Sequence, residues 1–183
     1  EKEDFKILYD KIRENNLFAM CTPFDEESVD VIEDMGFDII KVASCSAKDW
    51  PLLERISKAG LPTVASTGGL TFPEIDNLVS FFEHKGNPFA LMHCVSIYPI
   101  PDDTFNLNLI EEFVERYPNI AIGWSTHEDP NNNLPGQIAI SKGANFIEKH
   151  FTTNNKLNGR DNKYALNPSK FKSLSEFRNI YLE

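Results

Sequence analysis

Along this chain a short apolar run repeatedly gives way to polar residues, then to an amphipathic stretch, then to a glycine. The amphipathic stretches end before Gly36, Gly60, Gly86 and Gly143. A residue without a Cβ there can take the left-handed conformation that closes a helix. The apolar runs predict strands at 17–21, 38–43, 63–66, 89–93, 120–124 and 145–149. They are short and mostly unalternating, as in strands covered on both faces. Helical spacing predicts helices over 27–35, with Val29, Ile32 and Met35 on one face, and over 73–84, with Ile75, Leu78, Val79 and Phe82. Further helices fall at 4–15, 107–116 and 168–181, the last opened by Asn167-Pro168.

Strands alternating with helices imply a parallel sheet. At this level two α/β architectures are open, a doubly wound sheet and a TIM (β/α)8-type barrel. A barrel needs eight strands and six are visible, so that reading requires two βα units missing from the N-terminus. No linker or composition break divides the sequence, and residues 1–183 read as one domain. The longest irregular pieces, 98–106, 127–135 and 151–167, each follow a strand end. That is where α/β enzymes build their sites.

Composition narrows the function classes. Hydrophobic residues make up 41% and charged residues 25%, a globular profile. The net charge of −10 argues against nucleic acid or an anionic membrane surface as partner, although a local basic pocket can still take a small anion. The three cysteines, Cys21, Cys45 and Cys94, are widely spaced and form no metal or disulfide framework. With no signal peptide and no apolar run of membrane-spanning length, a cytoplasmic protein with reduced thiols is expected.

Polar residues recur at the predicted strand ends: Thr22-Pro23-Phe24-Asp25, Lys41 with Ser44, Ser66-Thr67-Gly68-Gly69, His93-Cys94-Val95-Ser96, Ser125-Thr126-His127 and Glu148-Lys149-His150. The strand C-termini of a parallel sheet share one edge, so this recurrence points to a site. His127 and His150 fall at the ends of neighbouring strands, where two imidazoles could share one divalent metal. His93, inside an apolar strand, reads as a hydrogen-bonded core residue, and His84 as a surface residue near a helix C-terminus. Lys41 follows an apolar strand, so its ammonium should meet an anion or form a Schiff base. Ser44, Ser66, Thr67, Ser96 and Ser125 offer hydroxyls suited to a phosphate-bearing substrate. No Walker loop, dinucleotide fingerprint or serine-hydrolase elbow is present.

Seven segments, in order, resemble the N-acetylneuraminate (sialic acid) synthase family. They are Thr22-Pro23-Phe24-Asp25, Lys41-Val42-Ala43-Ser44, Trp50-Pro51-Leu52-Leu53-Glu54, Ser66-Thr67-Gly68, the run from Leu91 to Pro99, Gly123-Trp124-Ser125-Thr126-His127 and Ile147-Glu148-Lys149-His150-Phe151-Thr152. The resemblance implies a (β/α)8 barrel that condenses phosphoenolpyruvate with a 2-acetamido sugar such as N-acetylmannosamine and releases phosphate. It implies a divalent metal, manganese first and magnesium or cobalt as alternatives, on His127 and His150. It places Thr22, Lys41, Ser44, Ser66, Ser96 and Ser125 around phosphoenolpyruvate, and Tyr98 and Asp161 at the acceptor sugar. A homodimer is left open. A Schiff-base barrel aldolase using Lys41 and an inactive barrel segment serving assembly are the competing readings.

The departures from the family pattern are specific. Cys45 and Ser46 stand where the family has glycine and glutamate, Ser96 replaces an asparagine, Thr126 an aspartate and Gly69 a methionine. The missing glutamate would hold the acceptor, so a different sugar is expected. No counterpart of the family's first two strands or of its C-terminal antifreeze-like domain is visible, which predicts a fragment or a shortened paralogue.

Overall fold

The structure is a computed structural model and describes residues 2–182. Six strands alternate with seven helices among the described residues: α1 (Lys2–Glu14), β1 (Met20–Cys21), α2 (Glu26–Met35), β2 (Ile39–Val42), α3 (Trp50–Ala59), β3 (Thr63–Ser66), α4 (Phe72–Lys85), β4 (Phe89–Cys94), α5 (Asn108–Arg116), β5 (Ala121–Ser125), α6 (Leu134–Ser141), β6 (Phe146–Glu148) and α7 (Pro168–Leu182). The strand order is β1-β2-β3-β4-β5-β6. The β1–β2, β2–β3 and β5–β6 pairs are parallel. Each strand returns beside its predecessor through a helix, the (β/α) repeat of a TIM-type barrel with six strands where a closed barrel has eight.

Two compact units divide the chain, one up to Ala90 and one from Leu91. In the first, Ile40 and Val42 of β2 and Ala65 of β3 are buried, as are Val29 and Ile32 of α2, Leu52, Leu53 and Ile56 of α3, and Leu78 and Phe82 of α4. The helices are punctuated locally. Asp25 caps α2 by accepting from the Ser28 amide at 2.7 Å, and Asp49 does the same for α3 through the Leu52 amide. Gly36, Gly60 and Gly86 close α2, α3 and α4 in the left-handed region, as their spacing predicts.

One predicted strand is much shorter than its apolar run. Of 17–21 only Met20–Cys21 pairs as a strand. The Asp38 carboxylate takes the Ala19 amide at 2.7 Å, and the Asp38 amide donates to the Ala19 carbonyl. Ahead of that clamp Leu17 and Phe18 turn outward, 60% and 79% exposed.

In the second unit Leu91, Met92, Ile110, Phe113, Ile122 and Trp124 are fully buried. Ile140, Leu166 and Leu174 form a cluster that Ile147 and Phe177 flank, so it joins β6 to α6 and α7. The β5–β6 register pairs Gly123 with Phe146, Trp124 with Ile147 and Ser125 with Glu148. Gly123 is required there: a Cβ would lie 2.6 Å from the Phe146 ring. The glycine thus admits the phenyl ring and helps set the register of the two strands that lead to His127 and His150.

Candidate functional site

In the first unit the site residues gather around β2 and β3. Lys41, 7% exposed, is the third of the four residues of β2, its ammonium donating to the Ser66 hydroxyl at 2.8 Å. Register explains the pairing: Lys41 lies beside Val64 and Val42 beside Ala65, so Ser66 at the end of β3 comes within reach of a long side chain. Ser44 opens a 3-10 turn, Ser44–Ser46, and its hydroxyl accepts from the Gly68 amide at 3.0 Å. The Ser44 side chain therefore anchors the Ser66-Thr67-Gly68-Gly69 turn. Ser66 and Thr67 are buried beside it. Thr22 is half-buried and lines a cavity of about 240 Å³ with Cys21, Ser28, Ile32 and Phe37.

In the second unit the histidines meet. The His127 and His150 ring centroids are 5.0 Å apart, and the Tyr98 ring lies 4.2 Å from that of His127. His127 is 8% exposed, and its Nδ1 is buried without a hydrogen-bond partner among the described residues. Burial pushes its pKa down to about 4, helped by the neighbouring His150 and Lys149 and opposed by Glu148 and Asp161. Asp161, half-buried in the loop after β6, thus acts electrostatically on His127. Ser125 is buried and donates its hydroxyl proton to Glu148 Oε1 at 2.7 Å. Ser96 is exposed in the loop after β4. The loops after β4, β5 and β6 wall a cleft of about 600 Å³ that includes Pro99, Asp102, Asp129, Lys163 and Tyr164.

His93 and His84 take the places their context predicts. His93 is buried with Nε2 against the Phe105 carbonyl at 2.8 Å, and burial lowers its pKa. His84 is exposed near the end of α4, with Nδ1 2.6 Å from the Ser80 carbonyl.

Sequence reasoning missed Glu128, and it assigned no role to Lys149. Their side chains are 1% and 2% exposed, and Nζ meets Oε1 at 2.5 Å. Thr126 donates to the other carboxylate oxygen at 2.6 Å. Burial lowers the Lys149 pKa and the Glu128 charge opposes it. No local signal marks them: residues 126–128 lie beyond β5 in a polar loop, where strand alternation does not apply.

The fit to a divalent metal is partial and specific. A neutral imidazole with an unclaimed buried nitrogen is a ligand in its binding form. No group of three or more His, Cys, Asp or Glu side chains that could hold a metal occurs among the described residues. His127 and His150 are the two imidazoles that come together among the described residues.

Residues 1–181 match the NeuB family. This chain belongs to the NeuB family. It is 33% identical over 175 residues to the N-acetylneuraminate-9-phosphate synthase of Drosophila melanogaster, covering 95% of this chain and 46% of that protein. Among solved structures, the N-acetylneuraminic acid (sialic acid) synthetase of Leptospira borgpetersenii serovar Hardjo-bovis, in complex with citrate, superposes with a TM-score of 0.94 at 31% identity, over 99% of this chain and 62% of that one. A truncated 3-deoxy-D-arabino-heptulosonate 7-phosphate synthase of Thermotoga maritima, 16% identical, shares the fold with a TM-score of 0.83 over 98% of this chain and 71% of that one. The chain of this NeuB-family member spans about half the length of the curated relatives it matches. No helix among its described residues is long and apolar enough to cross a membrane.

Proposed function

We propose that this NeuB-family chain carries donor and metal residues of a synthase that condenses phosphoenolpyruvate with a 2-acetamido sugar, giving a nonulosonic acid and inorganic phosphate. The observation that carries the reading is the His127–His150 pair, 5.0 Å apart, with an unclaimed nitrogen on the buried ring. Family membership supports the reaction class, and the relative from Drosophila melanogaster is named for a product of that class.

In this reading Lys41 is a fixed cation for the donor's phosphate or carboxylate, its ammonium aimed by the Ser66 hydroxyl. The Ser44 hydroxyl holds the Gly68 amide in place, which shapes the turn whose N–H groups face the anion. His127 and His150 hold manganese, or magnesium or cobalt in its stead, which when bound polarises the acceptor's carbonyl oxygen. His127 stays neutral at working pH, so its nitrogen lone pair remains free for that role. The enolpyruvate methylene carbon bonds to the aldehyde carbon. Water then adds at the donor's C2, and the C2–O bond to phosphate breaks with release of phosphate. Tyr98 over His127, Asp161, and the polar cleft of Asp102, Asp129 and Lys163 face the acceptor's hydroxyls.

The test is phosphate release from phosphoenolpyruvate by the full-length protein across a panel of 2-acetamido sugars, with manganese and with chelator. Sugar-dependent release that chelator abolishes is the expected result. No release with any sugar rejects the reading, and a borohydride-trapped adduct on Lys41 replaces it with imine chemistry.

A further inference from the structure

The β5–β6 ladder ends at Ser125↔Glu148. Carrying that register two residues further sets His127 against His150, the pair whose rings are in contact. The ladder stops short of them, so strand pairing alone does not fix the spacing of the two imidazoles.

Alternation across the pleat sorts the side chains here into two faces. On one face Ser125 bonds Glu148 and His127 meets His150. On the other lies Ile147, which packs against Ile140, Leu166 and Leu174, and Lys149 lines one pocket with Ile147, Ile140 and Leu174. Glu128 and Lys149 form a buried ion pair, 1% and 2% exposed, with Thr126 fixing the second carboxylate oxygen. Such a pair is poor value as a source of stability, because its attraction barely repays desolvation and apolar residues of similar volume often serve as well. Registry is a better-attested use of buried charge.

We propose that the Glu128–Lys149 ion pair is a positioning device that sets the spacing of His127 and His150. Glu128 is the residue after His127 and Lys149 the residue before His150, so one contact ties the backbone beside both imidazoles. The Thr126 hydroxyl restricts the carboxylate to the rotation that meets Lys149. The purpose of the spacing rests on the metal reading above, whereas the spacing itself belongs to the metal-free chain.

The experiment uses the full-length protein with ring-labelled histidine. The first measurement is the nuclear Overhauser contact between the His127 and His150 rings without metal. The second is manganese affinity by calorimetry. Glu128→Gln and Lys149→Met are expected to cut the ring-to-ring contact at least about 3-fold and to weaken manganese binding about 10- to 100-fold, the range for residues that orient ligands. Lys149→Arg should restore both. The double variant Glu128→Met/Lys149→Met leaves no orphaned charge, so it reports even if the single variants fail to fold, and it too should lose the ring contact. Retention of the wild-type ring contact by the folded double variant overturns the proposal. So does a lowered melting temperature in the single variants with ring contact and manganese affinity unchanged. Absence of manganese binding in the wild type rejects the metal reading instead, and the ring contact still decides the role of the ion pair.

Discussion

His93 lies in β4 and His127 two residues beyond β5, and burial lowers the pKa of both. They are 3% and 8% exposed. His93 gives Nε2 to the Phe105 carbonyl, its ring edge-on to Phe113. His127 has aromatic neighbours on two sides and a buried Nδ1 with no hydrogen-bond partner among the described residues. A buried polar atom left unsatisfied costs free energy comparable to a lost hydrogen bond. The fold satisfies one buried imidazole and leaves a nitrogen of the other without a hydrogen-bond partner among the described residues. The two histidines thus differ in their partners, since burial and pKa direction are shared.

Exchanging the two histidines for alanine is the strongest way to break this comparison. His127→Ala should weaken manganese binding at least about 100-fold, as expected for loss of one of two protein ligands, and should abolish sugar-dependent phosphate release. His93→Ala should instead cost about 2–3 kcal/mol of folding stability, through an orphaned carbonyl and a cavity, with manganese affinity unchanged. Calorimetric titration and denaturant unfolding on both variants separate the two roles. Equal losses of affinity would erase the distinction.

Gly123→Ala probes the same contrast from the backbone. Its new Cβ would meet the Phe146 ring at 2.6 Å, so β5 and β6 must move apart. Overpacking of this kind costs about 1–3 kcal/mol. The displacement reaches His127 and His150 through the strand ends, whereas His93 lies on β4, on the side of β5 away from Phe146. Manganese affinity should fall several-fold, while the ring resonances of His93 stay where they are in the wild type.

Much of this arrangement is legible before folding. The apolar runs at 38–43, 63–66, 89–93, 120–124 and 145–149 coincide with strands to within a few residues, because each is bounded by a cap, a glycine or a polar strand end. The run at 17–21 does not, since the Asp38 carboxylate competes for the Ala19 amide and no propensity encodes that distant partner. The approach of His127 to His150 is readable from strand ends alone. The ion pair behind them is not: Glu128 sits in a polar loop segment that reads as solvated, and its burial against Lys149 appears only in the folded chain. The Ser44 hydroxyl accepts the Gly68 amide across 24 residues, a contact that no local pattern encodes, and accepting there leaves its own proton to donate.

Acid titration sharpens the shared property of the two histidines. A buried His93 with a lowered pKa refuses a proton that the unfolded chain binds near pH 6.5. The unfolded state then holds more protons, so stability rises with pH through the window below 6.5. The contribution is fully present above that value and is lost as pH falls toward the folded pKa. His93→Gln removes this share, and the fall in stability of the metal-free protein below pH 6.5 should become shallower, by at most about 1.4 kcal/mol per pH unit. Part of the slope should remain, because His127 titrates with the same sign down to about 4. Denaturant midpoints at several pH values measure the change. A slope identical to the wild type would mean that His93 is protonated in the fold and that the Phe105 contact is not made by a neutral ring.

The smallest effect belongs to Ser125→Ala. Its buried hydroxyl spends its proton on Glu148 Oε1 at 2.7 Å, at the last register position of the β5–β6 ladder. Losing one hydrogen bond to a half-buried carboxylate should cost about 1 kcal/mol. The strand register survives, because Gly123 under Phe146 holds it from one side and Glu128 with Lys149 from the other. Manganese affinity should therefore change by less than about 3-fold, in contrast to the His127 and Gly123 variants. A 10-fold loss in Ser125→Ala with only a small change in stability would move the positioning of the two imidazoles from the buried ion pair to the Ser125–Glu148 contact on their own face of the sheet.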